Sequence, residues 1–276
     1  MKIVMVGAGR LATSLGISMH RVGHDILQVY SRTIESSEVL ASMVDSVPIC
    51  TIDAMRNDAD VYIIALKDSV LPELIPLICD HACLKDDIRS SQRVILHTSG
   101  STPMNLFESF ATHYGVLYPM QTFSKERVLD FKDIPCFIEA NDHVAFDVIH
   151  HLAGSVSNCV KQLSSEERKY LHMAAVFACN FSNHCYDLCA EILDQHGLSF
   201  DLMLPLIDET ARKVHLLHPH QAQTGPAVRY DDNIINKHLE MLHNDSLSRE
   251  IYELMSKSIN LKMKQKNSHE SIYDKL

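Results

Sequence analysis

Gly7-Ala8-Gly9-Arg10-Leu11-Ala12 is a GxGxxA run set directly after a strand pattern and directly before a helical one. In that position each residue type has a mechanical duty. Gly7 allows a tight turn, Gly9 lets the backbone come close to a diphosphate, and Ala12 keeps the helix against the sheet. The helix that follows offers free N–H groups and a partial positive charge, which suit an anionic diphosphate. Gly7, Ala8, Gly9, Arg10 and Leu11 are therefore expected to hold a dinucleotide. The plain alternative is a strand–helix turn with no ligand.

The end of the second strand reads Tyr30-Ser31-Arg32-Thr33, with no carboxylate for a ribose 2′-hydroxyl. Ser31 can donate to a 2′-phosphate, and Arg32 can stack on adenine while pairing with that phosphate. NADP is expected over NAD. One charge-assisted bond of about 1.5–3 kcal/mol gives a preference of roughly 10- to 100-fold. Read plainly, Arg32 is a surface arginine. Two further strand ends face the same side. Ala65-Leu66-Lys67 would skirt the cofactor ribose, with Lys67 reaching toward the nicotinamide unless it is only a turn lysine. His97-Thr98-Ser99-Gly100-Ser101-Thr102-Pro103 offers Thr102 as N-cap and Pro103 as first residue of a helix aimed at the cleft. Thr98, Ser101 and Thr102 would then form an anion or carboxylate site, with Ser99 among them as a candidate catalytic residue, unless the segment is simply a well-capped helix.

The elements that must hold these residues alternate. Continuous apolar strands are expected at residues 2–6, 25–30, 60–66 and 93–97, with a weaker one around 47–52 and helical spacing between them. That order implies βαβ units and a doubly wound, Rossmann-type parallel sheet. Three short strands near 115–118, 135–140 and 159–163 extend it. Ser164-x-x-Glu167 then opens a helical stretch of roughly 30 residues, about 45 Å long, which suits packing against a second subunit. No strand is expected beyond it. The chain thus divides into an α/β domain, residues 1–162, and an all-α dimerisation domain, residues 163–276.

The glycine loop, Ser31-Arg32, His97-Thr98-Ser99-Gly100-Ser101 and the run from Tyr118 to Phe123 together resemble the Rossmann-like NADP oxidoreductase family whose C-terminal half is a domain of unknown function. The resemblance continues through Ala174–Phe181, Thr224–Asp231 and His238, and covers nearly the whole chain. More distantly the chain is similar to pyrroline-5-carboxylate reductase, deazaflavin-dependent NADP reductase and the 3-hydroxyacid dehydrogenases. The resemblance implies an N-terminal NADP domain and a helical C-terminal domain that forms a homodimer.

The hydroxyacid dehydrogenases carry a catalytic lysine one turn before an asparagine on the first long helix. If Asn180 matches that asparagine, Val176 stands in the lysine position. His172, one turn earlier, shares a face with Val176, Asn180, Asn183 and Asp187 at straight-helix spacing. It can supply a proton during hydride transfer, and Asn180 can orient a carbonyl or imine. The polar face is otherwise satisfied by a neighbouring helix. Thr224-Gly225-Pro226 is expected to close the cleft with Thr224 near the substrate, or to be an ordinary turn.

Composition narrows the remaining classes. The 276 residues are 46% apolar and 22% charged, with a net charge of −10. Residues 1–160 carry 12 basic and 19 acidic side chains, net −7, and the rest carry 13 and 16, net −3, so neither part is a basic platform for nucleic acid. The Lys-rich run 257–266 reads as a solvated helix face. No apolar stretch is long enough for a membrane span. No signal peptide is read at the start, and the eight cysteines form no CxxC pair, which predicts buried, reduced thiols and a cytoplasmic location. His215, His218 and His220 are broken by Pro219, so no metal is expected. The leading expectation is NADP-dependent hydride transfer with a small carboxylate-bearing carbonyl, imine or alcohol. A second is an NADP(H)-binding sensor or scaffold without turnover. A third is a prephenate-type dehydrogenase, since Tyr118-Pro119-Met120 resembles the His-Pro-Met turn of those enzymes with Tyr in place of His.

Overall fold

The computed structural model describes residues 1–85, 92–124 and 129–273, the side chains of 266–273 excepted. Eight strands form one sheet: β1 (Lys2–Val6), β2 (Asp25–Tyr30), β3 (Val47–Ile49), β4 (Val61–Ile64), β5 (Val94–His97), β6 (Tyr114–Pro119), β7 (Cys136–Ala140) and β8 (Val160–Gln162). Their order is β3-β2-β1-β4-β5-β6-β7-β8. The direction of winding reverses between β1 and β4, so the ends of these two strands flank the crevice where such sheets take ligands. All pairs are parallel except β6 with β7.

The sheet is covered on both faces, which is why its strands read as unbroken apolar runs. Ile3 and Met5 point into one core with Leu15 of helix α1 (Arg10–Arg21) and Ile149 of α4 (His143–Val156). Val4 and Val6 point into the other, with Ile75 and Ile78 of α3 (Leu71–His81). Helix α2 (Ile34–Met43) adds Leu40 and Ala41 to the first core.

After β8 the chain is helical: α5 (Ser165–Ala175), a π-helical segment (Val176–Phe181), α6 (Ser182–Gln195), α7 (Leu204–Leu216), single turns α8 (Pro219–Ala222) and α9 (Pro226–Arg229), α10 (Asp232–Met241) and α11 (Ser246–Tyr273). The expected capping box at Ser164 and Glu167 is formed. The Lys-rich run lies on α11, with the side chain of Lys266 outside the described ones.

Two compact units result, Met1–Phe181 and Ser182–Leu276. Strands end where the sequence indicates, near 162, but α5 and the π segment belong to the first unit. The reason is local. Arg168 of α5 is 1% exposed and bonds the Glu139 carboxylate of β7 and the Thr102 carbonyl. In the second unit the buried apolar side chains among the described residues are Ala227, Ile235 and Leu239, while Leu206, Leu216, Leu247, Leu254 and Leu261 are exposed.

Two expectations about elements are corrected. Thr102-Pro103 does not open an α-helix: Pro103 is extended at ψ 150°, and only a 3₁₀ turn, Met104–Phe107, follows. The Ser99 hydroxyl takes the N–H groups of Ser101 and Thr102 instead, at 3.2 and 2.9 Å. The cysteines are unpaired, yet only Cys79 and Cys136 are buried.

Candidate active site

The glycine loop leaves β1 with Gly7 at φ 125°. A Cβ there would also meet the Ala65 carbonyl oxygen at 2.3 Å, so the ends of β1 and β4 touch only because Gly7 has no side chain. Gly9 is different. It has open space where a Cβ would stand, and it caps α1 without any side-chain hydrogen bond. The first N–H groups of this 12-residue helix therefore have no protein cap, and Ala12 is buried against the sheet. A diphosphate fits this cradle.

Ser31 is half-buried at the end of β2, with its N–H on the Ile49 carbonyl at 3.1 Å, and Arg32 is exposed beside it. Ala65 and Leu66 are half-buried at the end of β4, with Leu66 Cδ2 against Gly7. Lys67 is exposed and caps a short 3₁₀ turn.

A cavity of about 650 Å³ opens within the first unit. Arg10 of the glycine loop, Tyr118, Gln121 and Thr122 after β6, His172 of α5 and Asn180 of the π segment line it, with Leu171, Ala174, Ala175, Ala178 and Phe123 as apolar wall. His172 and Asn180 are thus brought together, but not by a straight helix. In a regular α-helix eight residues overshoot two turns by about 80°. The wider i→i+5 turn at Val176–Phe181 takes up that excess, as π segments at functional sites do.

His172 Nδ1 lies 3.1 Å from the Tyr118 hydroxyl, and the rings meet edge to face. Burial, partly offset by the Arg168 charge and reinforced by Asp68, raises the Tyr118 pKa, so the phenol keeps its proton. In the Nε2–H tautomer of the neutral imidazole the phenol donates to Nδ1, which leaves Nε2–H as the ring's remaining donor. His172 also rests on Gly100, where a Cβ would stand 2.6 Å from Nδ1.

The turn beneath is internally bonded. Thr98 N–H bonds the Ile64 carbonyl at 3.1 Å, with its hydroxyl at 3.5 Å from the same oxygen. Ser99 N–H donates to His97 Nδ1 at 3.2 Å, and the Ser99 hydroxyl donates to Thr102 Oγ1 at 3.0 Å. Ser101 donates to Asp68. The Thr98, Ser99 and Ser101 hydroxyls thus donate within the protein, and the carboxylate nearby is Asp68. Thr98, Ser99, Ser101, Thr102 and Lys67 are not among the residues lining the cavity. Ser99 builds the turn on which His172 stands. Beneath it His97 is fully buried, and its pKa is pulled down to about 4 by burial first and the Arg168 charge second, against the Pro103 carbonyl and Asp68. Thr224 belongs to the second unit, exposed before Gly225 at φ 103°.

Tyr118, Gly100, Arg168 and Glu139 were not singled out as site residues from the sequence. Tyr118 stood inside a recognised run, and only the pairing of β6 with α5 gives it a partner.

A Rossmann-like domain model matches residues 1–120, and the model of a domain of unknown function, DUF2520, matches residues 134–259. A "putative NADP oxidoreductase" from Bacteroides fragilis is 49% identical, with 94% of this chain and 97% of that one covered and a TM-score of 0.88. A Thermotoga maritima protein is 22% identical, covering 92% and 97% at a TM-score of 0.71. An imine reductase from Myxococcus stipitatus in complex with NADP⁺ is 14% identical, covering 96% and 95% at a TM-score of 0.66. The last two likenesses show the fold. No curated protein matches the chain.

Proposed function

Since this chain belongs to the family that joins a Rossmann-like domain to DUF2520, we propose that it is an NADP-dependent oxidoreductase acting on a small carboxylate-bearing carbonyl, imine or alcohol. One observation carries the reading: Arg10 of the uncapped glycine loop and the Tyr118–His172 pair line the same cavity. A dinucleotide held by the loop would present its far end to a polarised histidine.

When bound, NADP supplies the hydride acceptor or donor. The protein does the rest. Gly7, Ala8, Gly9, Arg10 and Leu11 would hold the diphosphate, Ser31 and Arg32 the 2′-phosphate, and Ala65, Leu66 and Lys67 the ribose. As a carbonyl or imine carbon is reduced, its oxygen or nitrogen takes a proton, and His172 Nε2 is the donor. Tyr118 fixes the ring and tautomer, and Asn180 orients the substrate's polar group. Among the described residues Arg10 is the cation lining this cavity, so its guanidinium is the partner for a substrate carboxylate while the loop's backbone N–H groups take the diphosphate.

Among the described residues the second unit buries few apolar side chains, and its exposed leucines mark a surface for a second copy of the chain. A homodimer through these helices follows from that reading. Eight unpaired cysteines match the reducing cytosol, where we place the protein.

The test is consumption of NADPH with a panel of small ketones, aldehydes and imines. Wild type turns over at least one, and His172→Gln loses on the order of 100-fold in kcat with NADPH binding kept. Tight NADPH binding with no transfer across the panel would leave the sensor reading instead.

A further inference from the structure

The Arg168–Glu139 pair is sunk where charges are costly. Arg168 is 1% exposed, and its guanidinium donates to the Glu139 carboxylate, to the Thr102 carbonyl at 2.5 Å and to Ser165 Oγ at 3.3 Å. Glu139 takes the Ser165 N–H and hydroxyl, at 2.8 and 2.7 Å, and Ser165 Oγ takes the Met104 N–H at 3.1 Å. Three elements meet in this network: β7, the first turn of α5, and the segment that follows Ser99–Thr102. A buried ion pair is poor evidence for stability, because desolvation offsets the attraction. Its best-attested use is to fix register. Here the register concerns chemistry, since His172 is one helical turn beyond Arg168, and Gly100 is two residues before Thr102.

We propose that Arg168, neutralised by Glu139, is the positioning residue of this site: it clamps the turn at 98–102 to α5 so that His172 stands over Gly100 beside Tyr118. Arg168 touches neither substrate nor cofactor. It acts through the backbone of Thr102 on one side and the helix carrying His172 on the other. The inference rests on the oxidoreductase reading for what His172 does, and on the geometry alone for where it sits.

The experiment uses the full chain labelled at His, Gly and Tyr. In wild type, NMR gives cross-relaxation from the His172 ring to the Gly100 Hα and to the Tyr118 ring. The charge-balanced variant Arg168→Met with Glu139→Gln loses both signals while circular dichroism stays that of the folded chain, and Arg168→Lys keeps them in part. In a turnover assay the balanced variant loses on the order of 100-fold in kcat, the scale of a small misplacement, with NADPH Kd unchanged. Both signals intact in the folded double variant overturn the proposal. So does a loss of NADPH affinity in place of kcat. Should the double variant not fold, Ser165→Ala removes one link only. It weakens both signals, and unchanged signals in Ser165→Ala and Arg168→Lys together overturn the proposal. An inactive wild type whose cross-relaxation responds as expected removes the oxidoreductase reading and leaves the positioning role standing.

Discussion

His172 Nδ1 and the Tyr118 hydroxyl, 54 residues apart in the chain, stand 3.1 Å from each other on the wall of one cavity. Neither element alone makes the pair. It exists because α5 lies on β6 and β7, where Leu171 packs against the cluster of Val116, Tyr118 and Phe137.

Gly100→Ala should break this relationship. The new methyl group would stand 2.6 Å from His172 Nδ1 and 3.0 Å from the Tyr118 ring, closer than any relaxed contact. We expect kcat to fall on the order of 100-fold, as for a displacement of about 1 Å. The overpacking should cost about 1–3 kcal/mol of stability, and NADPH affinity should change little. An unchanged kcat would remove His172 from the reaction.

Arg32→Ala should cut the discrimination between NADPH and NADH. The 2′-phosphate loses one charge-assisted bond of about 1.5–3 kcal/mol, so NADPH affinity drops by roughly 10- to 100-fold and NADH affinity stays. Equal losses for both cofactors would assign Arg32 to adenine stacking alone.

His97 makes stability depend on pH. Its folded pKa of about 4 lies below the value near 6.5 of the unfolded chain. Between the two the unfolded chain binds a proton that the folded chain refuses. Stability is therefore full above about 6.5, falls as the pH drops through that window, and levels off below about 4. The contribution is on the order of 3 kcal/mol. His97→Asn, which keeps an acceptor for the Ser99 N–H, should flatten that part of the urea-unfolding profile. A variant that follows the wild-type slope would assign the loss to other histidines.

The chain should sediment at twice 31.2 kDa. Leu254 is 70% exposed on α11, and a lone surface leucine tolerates a charge, whereas one at a subunit interface does not. Leu254→Arg should yield monomer or aggregate. A wild type that sediments as a stable monomer would contradict the dimer.

What the sequence revealed and what it hid divide along physical lines. The strands were legible because both faces are covered, so Ile3, Val4, Met5 and Val6 are all apolar. The glycine loop was legible because a left-handed φ and a backbone contact with Ala65 allow one residue type at position 7. The helix expected after Pro103 does not form because Thr102-Pro103 is also compatible with a turn, and the Ser99 hydroxyl settles the competition. The π turn leaves no mark in the spacing of apolar residues, so sequence spacing alone implies a straight helix from His172 to Asp187. Arg168 and Glu139 look like surface charges in composition. Their burial depends on strand β7 and helix α5 meeting, and local pattern does not encode that.

Titration calorimetry of the folded chain with NADPH and with NADH tests the central claim most directly. Heat for both is expected, with NADPH bound roughly 10- to 100-fold more tightly. No heat for either dinucleotide would contradict the account from the glycine loop onward, and equal affinities would contradict the assignment of Ser31 and Arg32.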